Sequence, residues 1–314
     1  MANQTRTLEA PAAAAPRRSA SLWGDAFRRL LKNRLAVLGG VIVLGLIFVA
    51  IFGPMLAPYE YQSQDLAAVV AAGGPVDPFV GPHFFGTDNL GRDLLSRLMD
   101  GARISMTVAL VVQTVVLLIG VPVGAAAAWF GGRLDTLLMR ITDIVYAFPD
   151  LLFIILLSVA LRETAVGKAM DGLFVVFVAI GLTAWVGMAR LVRGQLLSLK
   201  EAEFVEAAKA VGVSDFKIIL RHLLPNASGP MIVAITLGIP GAILAEATLA
   251  FIGIGANEPR ASWGKLVAEG QTYIRAEPHL AIIPALVVAI ALISFTFLGD
   301  GLRDALDPKL KGKQ

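Results

Sequence analysis

Apolar residues along this chain gather into runs longer than a globular core helix needs. Residues 35–56 carry no charge, and 104–130, 172–195, 226–245 and 280–299 are nearly as apolar. About 20 apolar residues carry a helix across the hydrocarbon layer of a bilayer, so each run predicts a membrane span. A sixth, about 139–161, is interrupted by Asp143 and Asp150, and Pro149 beside Asp150 predicts a kink. Six spans place both ends of the chain on one side of the membrane.

A polar stretch, KEAEFVEAAKAVGVSDFKIILRHLLP at 200–225, breaks this pattern. Phe204, Ala207, Ala208 and Val211 follow the i, i+3, i+4, i+7 spacing of a helix face, and Phe216, Ile219, Leu220 and Leu223 repeat it. Between the two runs, Gly212 can take a positive φ and end the first helix. Ser214 can N-cap the second, with Asp215 favourable in its first turn. Pro225 biases Leu224 away from helix and is expected to stop the second run. Such a jointed pair of helices either lies on the membrane surface or docks a soluble partner. Glu201, Glu203, Glu206 and Asp215 dilute the basic face that anionic lipid favours, which points to the partner.

Charge orients the spans. Most of the 27 Lys+Arg residues, among them Arg28, Arg29, Arg190, Arg193, Lys200, Lys209, Lys217 and Arg303, fall on the side that holds both termini. Basic residues mark the cytoplasmic side, so the termini and residues 200–225 are expected there. The Ala/Pro/Arg-rich residues 1–34 have no apolar core, and the first run is too long for a signal peptide, so it reads as an uncleaved span. Two longer segments remain on the external side. In 57–103 the sequence FGTDNLGRDLLSRLMDGARIS predicts a short helix, capped by Thr87 or Asp88, that carries Arg92, Asp93 and Arg97. In 255–279 lies Ser262-Trp263-Gly264, whose tryptophan suits a membrane-interface anchor.

Composition narrows the chemistry. The chain is 56% hydrophobic and 16% charged, against about a quarter charged in soluble domains. A net charge of +3 gives no reason to expect nucleic acid. The absence of cysteine excludes disulfides, thiol catalysis and Cys-ligated metals, and His83, His222 and His279 are too far apart for a metal-ligand spacing. The Gly-Lys pairs at 167–168, 264–265 and 312–313 are followed by Ala, Leu and Gln, so none completes a phosphate-cradling loop. With no G-x-S-x-G or H-E-x-x-H pattern either, the chain is not expected to be an enzyme or to hold a cofactor. Acids inside spans are functional by default. Asp143 and Asp300 fall near span ends, where water reaches them. Glu246, after Gly238, Pro240 and Gly241, can face a translocation path or pair with a neighbouring helix, and Asp150 has the same two readings.

Residues 206–225 resemble the EAA motif of binding-protein-dependent ABC importer permeases: E-A-A, three residues, G, nine residues, I, one residue, L-P. Here the positions are Glu206-Ala207-Ala208, Gly212, His222 and Leu224-Pro225, with histidine in place of isoleucine as in the peptide-importer branch. FGTDNLGRDLLSR, the SWG at 262–264 and GDGLRDALDPKL at 299–310 are similar to the C-type permease subunit of dipeptide and oligopeptide importers.

The resemblance implies an all-α polytopic fold of six transmembrane helices, type I ABC importer permease-like, in a bacterial or archaeal cytoplasmic membrane. It implies a tail at 1–34, a first helix at 35–56, an external segment at 57–103, a five-helix core at 104–303 and a tail at 304–314. It further implies a second permease that completes a peptide path, two ATPase subunits that bind ATP and Mg, and an external solute-binding protein. On that basis Glu206, Ala207, Ala208, Gly212, Phe216, His222, Leu224 and Pro225 are the ATPase-coupling positions. Glu206 has a second reading, an i,i+3 pair with Lys209. Asp88, Arg92, Asp93 and Trp263 are candidates for a binding-protein dock or external gate. A nickel chelate or another small solute is an alternative cargo. A proton-coupled secondary transporter using Glu246, Asp150 or Asp143 is an alternative class, although the chain shows no internal repeat and six spans is few for it.

Overall fold

The computed structural model describes residues 22–161 and 163–307. Expectations for residues 1–21, for Arg162 and for 308–314, which hold most of the two tails, lie outside the described residues.

The described chain is helical apart from turns and two isolated β-bridges, Gln64 with Arg92 and Thr87 with Asp93. The helices are α1 (Leu22–Lys32), α2 (Arg34–Leu56), α3 (Leu66–Ala72), α4 (Leu94–Phe130), α5 (Gly132–Ala147), α6 (Asp150–Leu161) and α7 (Ala165–Lys168), which continues into a 3₁₀ turn. After them come α8 (Leu173–Lys200), α9 (Glu203–Ala210), α10 (Asp215–Ile218), a π-helical turn at Ile219–Leu223, α11 (Leu224–Phe251), α12 (Trp263–Gln271) and α13 (His279–Leu306). Five of these stretches are long and apolar enough to cross a membrane, and a sixth exists if α5 and α6 count as one span. The expected kink is an 83° bend between those two helices. It falls at Phe148-Pro149, where proline disfavours helical geometry in the residue before it.

Asn33 separates α1 from α2 and caps the latter, its Oδ1 accepting from the backbone N–H of Leu35 (3.1 Å) and Ala36 (3.2 Å). Outward-facing Leu38, Val41, Leu44 and Phe48 give α2 an apolar surface suited to lipid. The centre of the fold is the pair α4–α8. A Cβ on Gly120 would stand 2.8 Å from that of Met188, and one on Gly124 would collide with the Ala189 carbonyl. Small residues at these positions let the two backbones approach closely, the usual basis of helix association in lipid. Val108, Val112, Phe177, Ala179 and Val192 fill the seam. A second apolar cluster joins Leu94 and Leu98 of α4 to Trp263 of α12 and to Leu280 and Phe295 of α13.

Two helix boundaries differ from expectation. The second span begins at Leu94 rather than near 104, and its cap is Asp93, whose Oδ2 accepts from Ser96 N–H at 2.7 Å, rather than Thr87 or Asp88. Pro225 does not end a helix. The chain runs helically from Asp215 to Phe251, with the π-helical turn placed just before the proline. The wider turn sends the Leu224 N–H to the Ile219 carbonyl, in the region where Pro225 supplies no donor and crowds the carbonyl four residues back.

Candidate functional site

The stretch at 200–225 follows α8 through one tight turn, in which Ala202 N–H donates to the Leu199 carbonyl at 3.1 Å. Its inner face consists of Val205, Ala208, Ile218, Ile219 and Leu223, all buried against Ala125, Ala128 and Trp129 of α4 and Val192 and Leu196 of α8. The outer face carries most of the motif. Glu206, Ala207, Gly212, Phe216 and Pro225 are exposed, His222 and Leu224 are half-buried, and Ala208 alone of the eight positions points inward. Three of the four residues of the expected apolar stripe of α9, Phe204, Ala207 and Val211, are therefore turned outward. Together with Phe204, Val211 (79% exposed) and Leu220, Phe216 (72% exposed) forms an uncovered apolar patch on an otherwise charged element. Exposed apolar patches rimmed by polar residues mark protein or membrane interaction sites.

Gly212 sets the angle between the two helices. Its φ is +78°, and nothing lies within 4 Å of where a Cβ would stand. Gly212 N–H donates to the Lys209 carbonyl and Val213 N–H to that of Ala208, each at 3.0 Å, a glycine-dependent helix ending. Ser214 occupies the N-cap position of α10 without a side-chain capping bond. Lys209, the alternative partner for Glu206, turns to the indole of Trp129, 5.0 Å from its ring centroid.

At the opposite end of α4 the conspicuous polar sequence is folded inward. Asp88, Arg92, Asp93 and Trp263 are 5%, 5%, 1% and 1% exposed, so all four side chains are held inside the chain. Asp88 Oδ2 accepts from Arg92 Nε at 2.6 Å and from Arg97 Nη1 at 2.7 Å. Arg97 reaches on to Glu269 of α12 at 2.8 Å, and Arg92 to Glu258 at 3.2 Å. Asp93 also accepts from Ser96 Oγ at 2.7 Å and lies 3.0 Å from His83 Nδ1. Trp263 is held at both of its nitrogens: its N–H donates to Ser105 Oγ at 3.2 Å and its Nε1–H to the Leu98 carbonyl at 3.0 Å. The cluster clasps the segment before α4 to the segment around α12. Arg97, Glu258 and Glu269 belong to it as fully as the residues singled out by sequence.

Burial works against the Arg92 charge, but the Asp88 and Glu269 carboxylates outweigh it and raise its affinity for the proton. Burial likewise pushes the Glu258 carboxyl up, while Lys265, 2.9 Å away, and Arg92 hold it below the ordinary 4.5. A carboxylate depressed in the folded state contributes stability that is complete above its unfolded value and fades as pH falls through the folded one. The stability difference between wild type and Glu258→Gln is therefore expected to be present at neutral pH and to shrink as pH falls below the ordinary carboxyl value of 4.5, as thermal unfolding across a pH series would read. A difference that widened on acidification would contradict this linkage.

A profile of the family described as "binding-protein-dependent transport system inner membrane component" matches residues 120–312, more than half of the chain. The chain belongs to this family of transport permeases. A second profile, the N-terminal TM domain of oligopeptide transport permease C, matches residues 21–75. The permease is 41% identical to the oligopeptide transport system permease protein OppC of Bacillus subtilis, over 94% of this chain and 92% of the relative. It is 43% identical to the protein of the same name from Haemophilus influenzae, over 92% and 89%. Identity to the dipeptide transport system permease protein DppC of Bacillus subtilis is 42%, over 98% and 92%. Among solved structures, a chain of the inward-facing MetNI methionine ABC transporter superposes with a TM-score of 0.55 at 21% identity, covering 67% of the permease and 96% of that chain. The fold is that of an ABC importer permease.

The remaining acids of the permease separate by burial. Glu246 is fully buried inside the chain, its carboxyl beside Ser262 and Ser105. Asp150 is exposed at the start of α6. Asp143 pairs with Arg190 at 2.8 Å, and Asp135 takes a two-pronged contact from Arg193 at 2.6 and 2.7 Å, so two ion pairs tie α5 to α8. The fold also brings together Asp77, Glu277 and His279, whose ligand atoms lie within 4.8 Å of one another. Glu277 is 3.6 Å from His279 Nδ1, an ion pair when the imidazole is protonated.

Proposed function

We propose that this permease is the C-type subunit of a peptide importer. It pairs with a second, similar permease to form the path. Two ATPase subunits that bind ATP and Mg drive it, and an external solute-binding protein delivers the peptide. The coupling end then lies in the cytoplasm together with both termini, in agreement with the bias of basic residues. The chain performs no hydrolysis itself and holds no nucleotide. The observation that carries this reading is the outward-turned apolar patch at Phe204, Val211, Phe216 and Leu220, set on the EAA motif at a glycine-fixed angle. Peptide as the cargo is supported by the names of relatives that match over nearly the whole chain.

Purification of the tagged permease from its own membranes in mild detergent, with mass spectrometry of what accompanies it, tests the assembly. The expected companions are a second six-span permease and ATPases with phosphate-cradling loops. Recovery of the chain alone, under conditions that hold a control ABC complex together, would refute the proposal. Phe216→Asp, which alters an exposed apolar anchor and no internal contact, is expected to lower ATPase recovery by about tenfold while leaving the amount of permease in the membrane unchanged.

A further inference from the structure

One aromatic ring lies among the apolar residues that cover the inner side of the coupling element. Trp129 stands in the last turn of α4 and is 7% exposed. Lys200, the last residue of α8, donates from Nζ to the Trp129 carbonyl at 2.6 Å and to the Ala128 carbonyl at 3.2 Å. These are orphan carbonyls of a helix C-terminus, where a cation is favoured. The same Nζ lies 5.5 Å from the Trp129 ring centroid, and Lys209 Nζ, from the last turn of α9, lies 5.0 Å from it. Both distances are within the reach of a cation–π attraction. The ends of three helices therefore meet at this indole. Elsewhere α9 touches the membrane body through the small side chains of Val205 and Ala208, which offer little area to transmit force.

The helix behind the ring is long. At 37 residues, α4 is about 55 Å long. It is locked to α8 by the close approach at Gly120 and Gly124. Its other end holds Arg97, in the ion cluster that clasps α12. A displacement of α9 that carries Trp129 is thus applied to the end of α4 that lies beyond Pro122 and is packed against α8 at Gly124.

We propose that Trp129 is the joint through which α9, the first half of the coupling element, passes its movement to α4 and α8, with Lys209 and Lys200 holding the indole from α9 and α8. Trp129 is a positioning residue: it touches neither peptide nor nucleotide. The inference rests on the importer reading above and adds to it the point of transmission.

The test uses the whole complex in lipid vesicles, with binding protein and peptide outside and ATP within. The readout is peptide taken up per ATP hydrolysed, which a loss of stability alone does not change. Trp129→Leu is expected to keep the ATPases bound and hydrolysing while this ratio falls about fivefold, and Trp129→Phe, which keeps an aromatic face, to stay within about twofold of wild type. Lys209→Met should lower the ratio by about threefold and Lys209→Arg should restore it. A wild-type ratio in an assembled Trp129→Leu complex overturns the proposal. If Trp129→Leu does not assemble, Lys209→Met decides, because that exposed side chain is not part of the core: an unchanged ratio there overturns the proposal equally. Should the wild-type complex itself fail to move peptide, the importer reading fails and not merely this joint.

Discussion

Peptide uptake by a Gly212→Val permease is expected to fall roughly tenfold or more while its abundance in the membrane stays unchanged. The cause is conformational. Gly212 holds φ at +78°, and no atom lies within 4 Å of the position a Cβ would take, so valine meets no clash. It meets the intrinsic cost of left-handed geometry, roughly 1–2 kcal/mol for a residue with a Cβ and greatest for a β-branched one. The joint relieves that strain by turning to negative φ, which swings α10 and Phe216 away from α9. The two halves of the docking face then no longer present one surface. Gly212→Ala, with a smaller penalty, should fall between wild type and valine. Uptake into vesicles, with immunodetection of the membrane fraction, provides the measurement. Wild-type uptake by the valine variant at wild-type abundance would remove Gly212 from the coupling mechanism.

Sequence alone reached most of this architecture, and the places it missed share a physical cause. The run at 35–56 announces α2 because lipid leaves no polar face to disguise it. The spacing around Gly212 announces the joint because only glycine takes that φ without cost. The start of α4 was hidden. Arg97 and Asp100 are charged residues that suit an exposed helix, yet the first is 2% and the second 4% exposed; the carboxylates that cover Arg97 come from Asp88 and from Glu269, 172 positions away. No periodicity within one helix reports a partner so distant. The facing of α9 was ambiguous for a related reason. Of the stripe Phe204, Ala207, Ala208 and Val211, only Ala208 packs inward, and it does so with Val205 in the cluster that holds Trp129. A docking helix needs two apolar faces, and hydrophobic spacing does not tell the covered face from the free one. Pro225 was read as a stop because the rule about prolines concerns α-helical geometry; a π-helical turn of five residues just before it lies outside that rule.

Substitution of Asp88 by alanine is expected to destabilise the permease more than any other single change in the cluster opposite the coupling end. Asp88 is the acceptor shared by Arg92 and Arg97, whose side chains are 6% and 2% exposed. Its Oδ1 also accepts from the backbone N–H groups of Leu90 and Arg92, each at 2.9 Å, so the same carboxylate shapes the turn and neutralises the cations. Removing one member of a buried ion pair leaves uncompensated charge in a medium that does not solvate it, at about 3–5 kcal/mol. At a few degrees per kcal/mol, that corresponds to a fall of roughly 10 °C in the unfolding midpoint of the purified protein. Glu258→Gln is the matched comparison: it breaks contacts with Arg92 and Lys265, but its side chain is 60% exposed, and exposed pairs contribute about 0–1 kcal/mol. Equal losses from the two substitutions would show that burial does not set the strength of this cluster. A large loss confined to Asp88→Ala would place the strength of the clasp in the polar sequence that is least exposed. That sequence then serves to fix α4 against α12.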